Sequence, residues 1–116
     1  MSSSDLDRPF LDELLEGDRE FAEELFQTFF ESANSCLEQA QAMLSSSDSE
    51  NVFRPFHTLK GASASVGLTS VKELASELEK KARQNDLAFC SENLPALKTS
   101  VEEGRKLLDS YLSQLV

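Results

Sequence analysis

The 116-residue chain contains one histidine, His57, within the stretch Phe56 to Leu68 that reads F-H-T-L-K-G-A-S-A-S-V-G-L. An imidazole is a good nitrogen nucleophile and proton acceptor near neutral pH, so any group-transfer chemistry in this chain begins there. Lys60 and Gly61 follow three and four residues later. On a helix, that spacing places an ammonium group and a position without a side chain one turn along, on the same side as the ring. The combination suits transfer of an anionic group. The ring attacks, Lys60 offsets the negative charge placed on it, and Gly61 leaves room for in-line approach by a partner.

Competing chemistries find little support. A hydrolase using His57 as general base would need a nucleophile and a second acid–base group converging on it, and no motif supplies them. Cys36 and Cys90 are isolated thiols without C-x-x-C spacing, and one histidine cannot complete a zinc site, so no metal or other cofactor is expected on this chain. The two thiols read as small core or half-buried residues in a reducing compartment. A net charge of −10 disfavours nucleic acid and anionic membrane surfaces as partners. No apolar run approaches the roughly 18 residues of a membrane span, and the N-terminal M-S-S-S-D-L-D is acidic where a signal peptide would be basic and then apolar. The chain is therefore expected to be soluble and cytoplasmic, with no membrane insertion. Its charge is unevenly spread. Residues 1–50 carry thirteen acids against Arg8 and Arg19, whereas residues 51–86 carry four acids against Arg54, Lys60, Lys72, Lys80, Lys81 and Arg83. The locally basic region holds the histidine. A helical bundle that recruits partners through its acidic first half remains the purely structural alternative.

The elements that must position His57 are helices. Hydrophobic residues make up 40% of the chain and charged residues 28%, and four glycines with three prolines leave little room for a turn-rich β-fold. Apolar periodicity and cap signals predict helices over about 6–16, 18–44, 50–65, 69–85 and 92–115. Leu6, Phe10, Leu11, Leu14 and Leu15 mark the first, which Gly17 breaks. Asp18 caps the second, whose stripe runs through Phe21, Leu25, Phe29, Ser32, Cys36, Ala40, Met43 and Leu44 and stops near Ser45. The polar run S-S-S-D-S follows. Gly67 suits a left-handed C-cap of the third helix, and Thr69 or Ser70 can cap the fourth. The stretch L-A-F-C-S is read as a loop before a fifth helix capped by Ser91, with Pro95 in or near its first turn and Gly104 as a close-packing position. The architecture expected is all-α, a single domain formed by an antiparallel up-and-down four-helix bundle with a short additional N-terminal helix.

At about 100° per residue, Val52, Phe56, Leu59, Ser63 and Val66 define the buried side of the third helix. Phe53, His57, Lys60 and Ala64 fall on its flank, and Gly61 faces away. His57 thus belongs on the surface. Pro55 is awkward inside a helix, which must either begin late or kink there.

These residues carry a resemblance. The string H-T-L-K-G-A-S-A-S-V-G-L, with Leu78-Glu79 in the next predicted helix, closely resembles the histidine-containing phosphotransfer (HPt) domain of bacterial and fungal phosphorelays. That family's pattern is H-x-x-K-G, a glycine ten residues after the histidine, and leucine followed by glutamate or glutamine in the next helix. The resemblance covers essentially the whole chain, since the helix lengths also fit the family's bundle. One departure is Phe56, where the family usually has a small residue. The resemblance implies that His57 accepts a phosphoryl group from the aspartate of a receiver domain and passes it to another receiver, with Mg²⁺ bound by the receiver. It implies that Glu79 hydrogen-bonds the ring nitrogen that is not phosphorylated, and that Arg83 lies near the phosphoryl group. The plain alternative for these two is a solvated i,i+4 pair. Phe53 and Ala64 are assigned to an apolar docking surface, with a core position on a rotated helix as the alternative for Phe53. Expected partners are response-regulator receiver domains. A sensor histidine kinase joins them if the chain is the excised phosphotransfer domain of a larger kinase. Nothing in the sequence resembles a nucleotide site, so a monomeric phosphoryl carrier without ATP chemistry of its own is expected.

Overall fold

The computed structural model describes residues 5–46 and 48–115; Met1 to Ser4 of the acidic N-terminus, Ser47 of the polar S-S-S-D-S run, and Val116 lie outside the described residues. Five α-helices account for most of it: α1 (Arg8–Leu15), α2 (Arg19–Leu44), α3 (Phe53–Ser65), α4 (Thr69–Arg83) and α5 (Leu87–Ser113). Contacts run α2 to α3, α3 to α4, α4 to α5 and α5 back to α2, which closes a four-helix ring with short connections. The short α1 packs against α2 at one end. This is the all-α bundle with an extra N-terminal helix that the sequence predicts.

Local chemistry sets the helix ends. Asp7 caps α1 by accepting the Phe10 N–H at 3.2 Å, and Asp18 caps α2 by accepting that of Phe21 at 3.0 Å. Between them Glu16 (φ 48°) and Gly17 (φ 77°) take the left-handed conformation that reverses the chain. The α3–α4 turn is a Schellman motif: Gly67 sits at φ 72°, its N–H reaches the Ala64 carbonyl at 3.2 Å, and the Leu68 N–H reaches that of Ser63 at 3.0 Å. Asn85 (φ 61°) plays the same part after α4, with the Asp86 N–H on the Lys81 carbonyl at 2.9 Å.

Several expectations need correction. The fifth helix begins at Leu87 rather than residue 92, because Asp86 both closes the turn after α4 and caps α5 by accepting the Phe89 N–H at 3.2 Å. The L-A-F-C-S stretch is therefore helical, with Cys90 fully buried, and Pro95 lies inside the helix. Helix α3 begins at Phe53, not residue 50, and Ser49–Asn51 form a single 3-10 turn. Pro55 is then the third helical residue, where a missing N–H costs no helical hydrogen bond. The N-cap position of α4 is Leu68, with Thr69 already the first helical residue. The Thr69 N–H is instead satisfied from Asp5, whose carbonyl accepts it at 3.0 Å, while the Asp5 carboxylate accepts from the Ser70 hydroxyl. Leu6 and Leu68 form an antiparallel bridge, so α1 starts only at Arg8. Helices α4 and α5 each end two residues before the predicted 85 and 115.

The buried row of α2 is Ala22, Phe26, Phe29, Phe30, Ala33, Cys36 and Ala40, whereas Phe21 is 40% exposed. The expected stripe shares Phe29, Cys36 and Ala40 with this row but runs through Phe21, Leu25 and Ser32 where the fold buries Ala22, Phe26 and Ala33, the two alanines small enough for close helix approach. On α1, Leu11 and Leu15 are buried but Phe10 and Leu14 face outward at 39% and 40% exposure. Val52, Phe56, Leu59, Ser63 and Val66 of the α3 face are all buried as predicted. Phe56, the departure from the family pattern, is absorbed by the core at 1% exposure. Leu68 plugs the bundle against Gly104, where an added Cβ would stand 2.8 Å from a Leu68 methyl. At the same end of the bundle the Tyr111 hydroxyl donates to Asp12 at 2.7 Å, and Arg19 donates to the Leu112 and Leu115 carbonyls, tying α1 and α2 to the end of α5. No helix among the described residues is long and apolar enough to cross a membrane.

Candidate functional site

The α3–α4 hairpin brings His57 and Glu79, 22 residues apart in sequence, face to face. Leu78 packs fully into the core of α4, and Glu79, next in line, is carried to the groove between the two helices with its side chain only 8% exposed. A carboxylate so placed must be paired. Its Oε1 meets Lys60 Nζ at 2.8 Å. Its Oε2 meets His57 Nδ1 at 3.0 Å and accepts from Arg83 Nε at 3.0 Å and Nη2 at 2.8 Å. The alternative of a solvated Glu79–Arg83 pair thus holds only in spacing: Arg83 is half exposed, but Glu79 is buried.

Burial by itself would push the Glu79 carboxyl up. Hydrogen bonds from Lys60, Arg83 and His57, with the charge of Lys60, outweigh it and bring the pKa down from the usual 4.5 to about 2. At neutral pH Glu79 is therefore ionised and can only accept hydrogen bonds. It follows that Nδ1 of His57 carries a proton and donates it toward Oε2, which in the neutral ring leaves the lone pair on Nε2. The imidazole is 60% exposed, so that nitrogen is accessible. The arrangement can orient a nucleophile, fix its tautomer and stabilise positive charge on the ring.

The other predicted site residues surround this centre. Gly61 is exposed, and a Cβ built on it meets nothing within 4 Å, so the space over that turn is open. Phe53, one turn before His57, is half-buried, with the Arg83 guanidinium 4.3 Å and the Arg54 guanidinium 5.0 Å from its ring centre. Ala64 is exposed two turns beyond His57 and borders a shallow cleft shared with Phe10 of α1 and Lys72 of α4. Lys60, Glu79 and Arg83 also line an open groove of about 370 Å³ with Ser76, Lys80 and Gln84. This makes one side of the histidine strongly basic. A larger groove of about 690 Å³ between α2 and α5 is lined by Glu23, Glu24, Thr28, Asp109 and Arg105 and does not include His57. Among the described residues no cluster of three or more metal-ligating side chains occurs.

Two features escaped the sequence reading. Phe10 and Leu14 look like core residues by periodicity yet form an exposed apolar strip, and only the burial of their neighbours Leu11 and Leu15 reveals it. Lys80 lines the groove that Lys60, Glu79 and Arg83 share, a placement its count as local charge does not give.

Comparison with known proteins gives a family. The Hpt domain family model matches residues 24–113. The phosphorelay intermediate protein rdeA of Dictyostelium discoideum is 26% identical over 105 residues, which cover 90% of this chain and 41% of that protein. The chain thus spans less than half the length of this relative. No solved structure matches.

Proposed function

This chain belongs to the Hpt domain family, and on that premise we propose that it is a histidine phosphoryl carrier in a phosphorelay, accepting the group on His57 from a receiver-domain aspartate and passing it to another receiver. In the forward step the Nε2 lone pair attacks phosphorus of the aspartyl phosphate. The N–P bond forms as the P–O bond to the aspartate breaks, and the aspartate leaves as carboxylate. Because Nδ1 keeps its proton, the ring becomes cationic, and the Glu79 carboxylate 3.0 Å away stabilises that charge. Attack by a second aspartate on the same phosphorus reverses these bond changes and restores the neutral ring.

Phosphoryl transfer depends more on positioning and charge compensation than on covalent assistance, so a rigid bundle that presents one oriented imidazole is sufficient on this side. Mg²⁺ and the remaining acidic groups belong to the receiver in this reading, and no ATP site is assigned to the chain. Lys60 offers its ammonium to the phosphoryl oxygens, Gly61 leaves the approach open, and Phe10 beside Ala64 offers an apolar surface for the receiver. The observation that carries the reading is the hydrogen bond from His57 Nδ1 to a buried, ionised Glu79. The test is incubation with phosphorylated, radiolabelled receivers of the source organism. Wild type should acquire acid-labile, base-stable label, and His57→Gln should acquire none. Equal labelling of both proteins, or labelling from ATP alone, would contradict it.

A further inference from the structure

The phosphoryl-carrier reading leaves Phe53 as an undifferentiated apolar contact and Arg83 as a neighbour of the phosphoryl group, but the contacts they make are more specific. Phe53 precedes His57 by four residues on α3, and Arg83 follows Glu79 by four on α4. Because the two helices run antiparallel, the four side chains form two adjacent rungs, His57 with Glu79 and Phe53 with Arg83. The rungs are joined along α4, where Arg83 places both Nε and Nη2 on the same Glu79 oxygen that faces His57.

An oxygen that accepts three N–H groups has its lone pairs committed, and its direction toward Nδ1 depends on where the guanidinium sits. A half-exposed arginine in an i,i+4 pair does not by itself hold one rotamer, since such pairs are weak and the side chain loses much entropy when fixed. What Arg83 has in addition is the face of an aromatic ring. Its guanidinium carbon lies 4.3 Å from the centre of Phe53, well inside the range of a cation–π contact. Arg54, 5.0 Å from the same ring, adds a second cation against it.

We infer that Phe53 is a positioning residue for transfer at His57: its ring seats the Arg83 guanidinium, which fixes Oε2 of Glu79 against Nδ1 and so keeps the lone pair on Nε2. The inference rests on the carrier reading for its consequence, but the ring it concerns can be observed without any partner. Arg83 acts in it through Glu79 and not as a ligand of the phosphoryl group. The quadrupole of the ring matters as well as its volume, so leucine is a poor substitute and tryptophan a good one.

The experiment records the tautomer of His57 by ring ¹⁵N NMR in the isolated, unphosphorylated protein, together with transfer rates measured at saturating receiver. Phe53→Leu and Arg83→Lys should each move the ring population toward the Nε2–H form and slow the saturated rate by about 10-fold, the lower end of what loss of such a supporting hydrogen-bond partner costs. Phe53→Trp should retain both the tautomer and the rate, which guards against a variant that merely unfolds. The double variant Phe53→Leu/Arg83→Lys should be no slower than Arg83→Lys alone, because both act through one contact. Phe53→Leu with a wild-type tautomer and saturated rate but weaker receiver binding would overturn the inference in favour of a docking role. Multiplicative effects in the double variant would overturn it too. Failure of His57 to accept phosphate from any receiver would instead refute the carrier reading, and the NMR result would still decide the role of Phe53.

Discussion

The Lys60 ammonium lies 2.8 Å from Oε1 of Glu79, so the cation to which the carrier reading gives the phosphoryl oxygens is already paired with the carboxylate that faces the histidine. Glu79 therefore divides its two oxygens between two tasks. Oε1 holds Lys60 beside the site, and Oε2 holds the ring. In the proposed carrier reading, Lys60 would turn toward a phosphoryl group arriving on Nε2 while Arg83 continues to satisfy the carboxylate.

That division predicts unequal effects of two substitutions. Glu79→Gln keeps an amide oxygen able to accept from Nδ1, whereas Glu79→Ala removes the acceptor altogether. Transfer at saturating receiver should fall modestly in the first and by about 10- to 100-fold in the second. Rapid-quench kinetics with one phosphorylated receiver measures both, and equal rates for the two variants would remove the orienting role from Glu79.

Stability should respond to pH on both sides through identifiable groups. The Glu79 pKa is depressed in the fold, so its contribution is present above the usual 4.5 and is lost as pH falls toward about 2. Tyr111 shifts the opposite way: burial, the hydrogen bond to Asp12 and the Asp12 charge, opposed by Arg8, push it from 10 up to about 12. Its contribution is present below pH 10 and is lost as pH rises through about 12. Urea titrations across pH should show an acid limb flattened in Glu79→Gln and an alkaline limb flattened in Tyr111→Phe.

Gly61 separates access from stability. It lies within α3 with open space where a Cβ would go. Gly61→Ala should therefore raise stability by about 0.5–1 kcal/mol, the ordinary gain from removing a helix-interior glycine, and should retain transfer. Gly61→Phe should fold equally well yet lose most transfer because the ring obstructs the receiver's approach. Thermal denaturation and a transfer assay on the same samples check both statements.

Gly104 is the opposite case. A Cβ there would press on the Leu68 methyl at 2.8 Å in a fully buried contact. Gly104→Ala should lose about 1–3 kcal/mol despite its better helix propensity, as overpacking does. Adding Leu68→Ala should make the alanine at position 104 less costly, a coupling that a double-mutant cycle in urea resolves.

Much of this was legible in the sequence because it is local. The α3 face from Val52 to Val66 follows from period alone, and Gly67 announces the turn that sets α3 and α4 side by side. The Asp86 cap was obscured because one residue ends a helix and starts the next, so the following apolar run looked like a loop. The inverted exposure of Phe10 on α1, and the alanine-lined face of α2, depend on which neighbours pack there. Asp5 serving the start of α4, 64 residues away, is a long-range pairing that no local pattern encodes. At the site, spacing puts His57 and Lys60 on the flank of α3 and Gly61 on its outward side. The burial of Glu79 and the seating of Arg83 on Phe53 required the two helices to be in register.

The central claim is that Glu79 leaves Nε2, and not Nδ1, as the phosphorylated atom of His57. The most direct measurement is ¹⁵N and ³¹P NMR of the ring-labelled protein after phosphorylation by a receiver. A phosphorus–nitrogen coupling to Nε2, with Nδ1 still protonated, is the predicted result. Coupling to Nδ1, or phosphate found on a residue other than His57, would contradict the account.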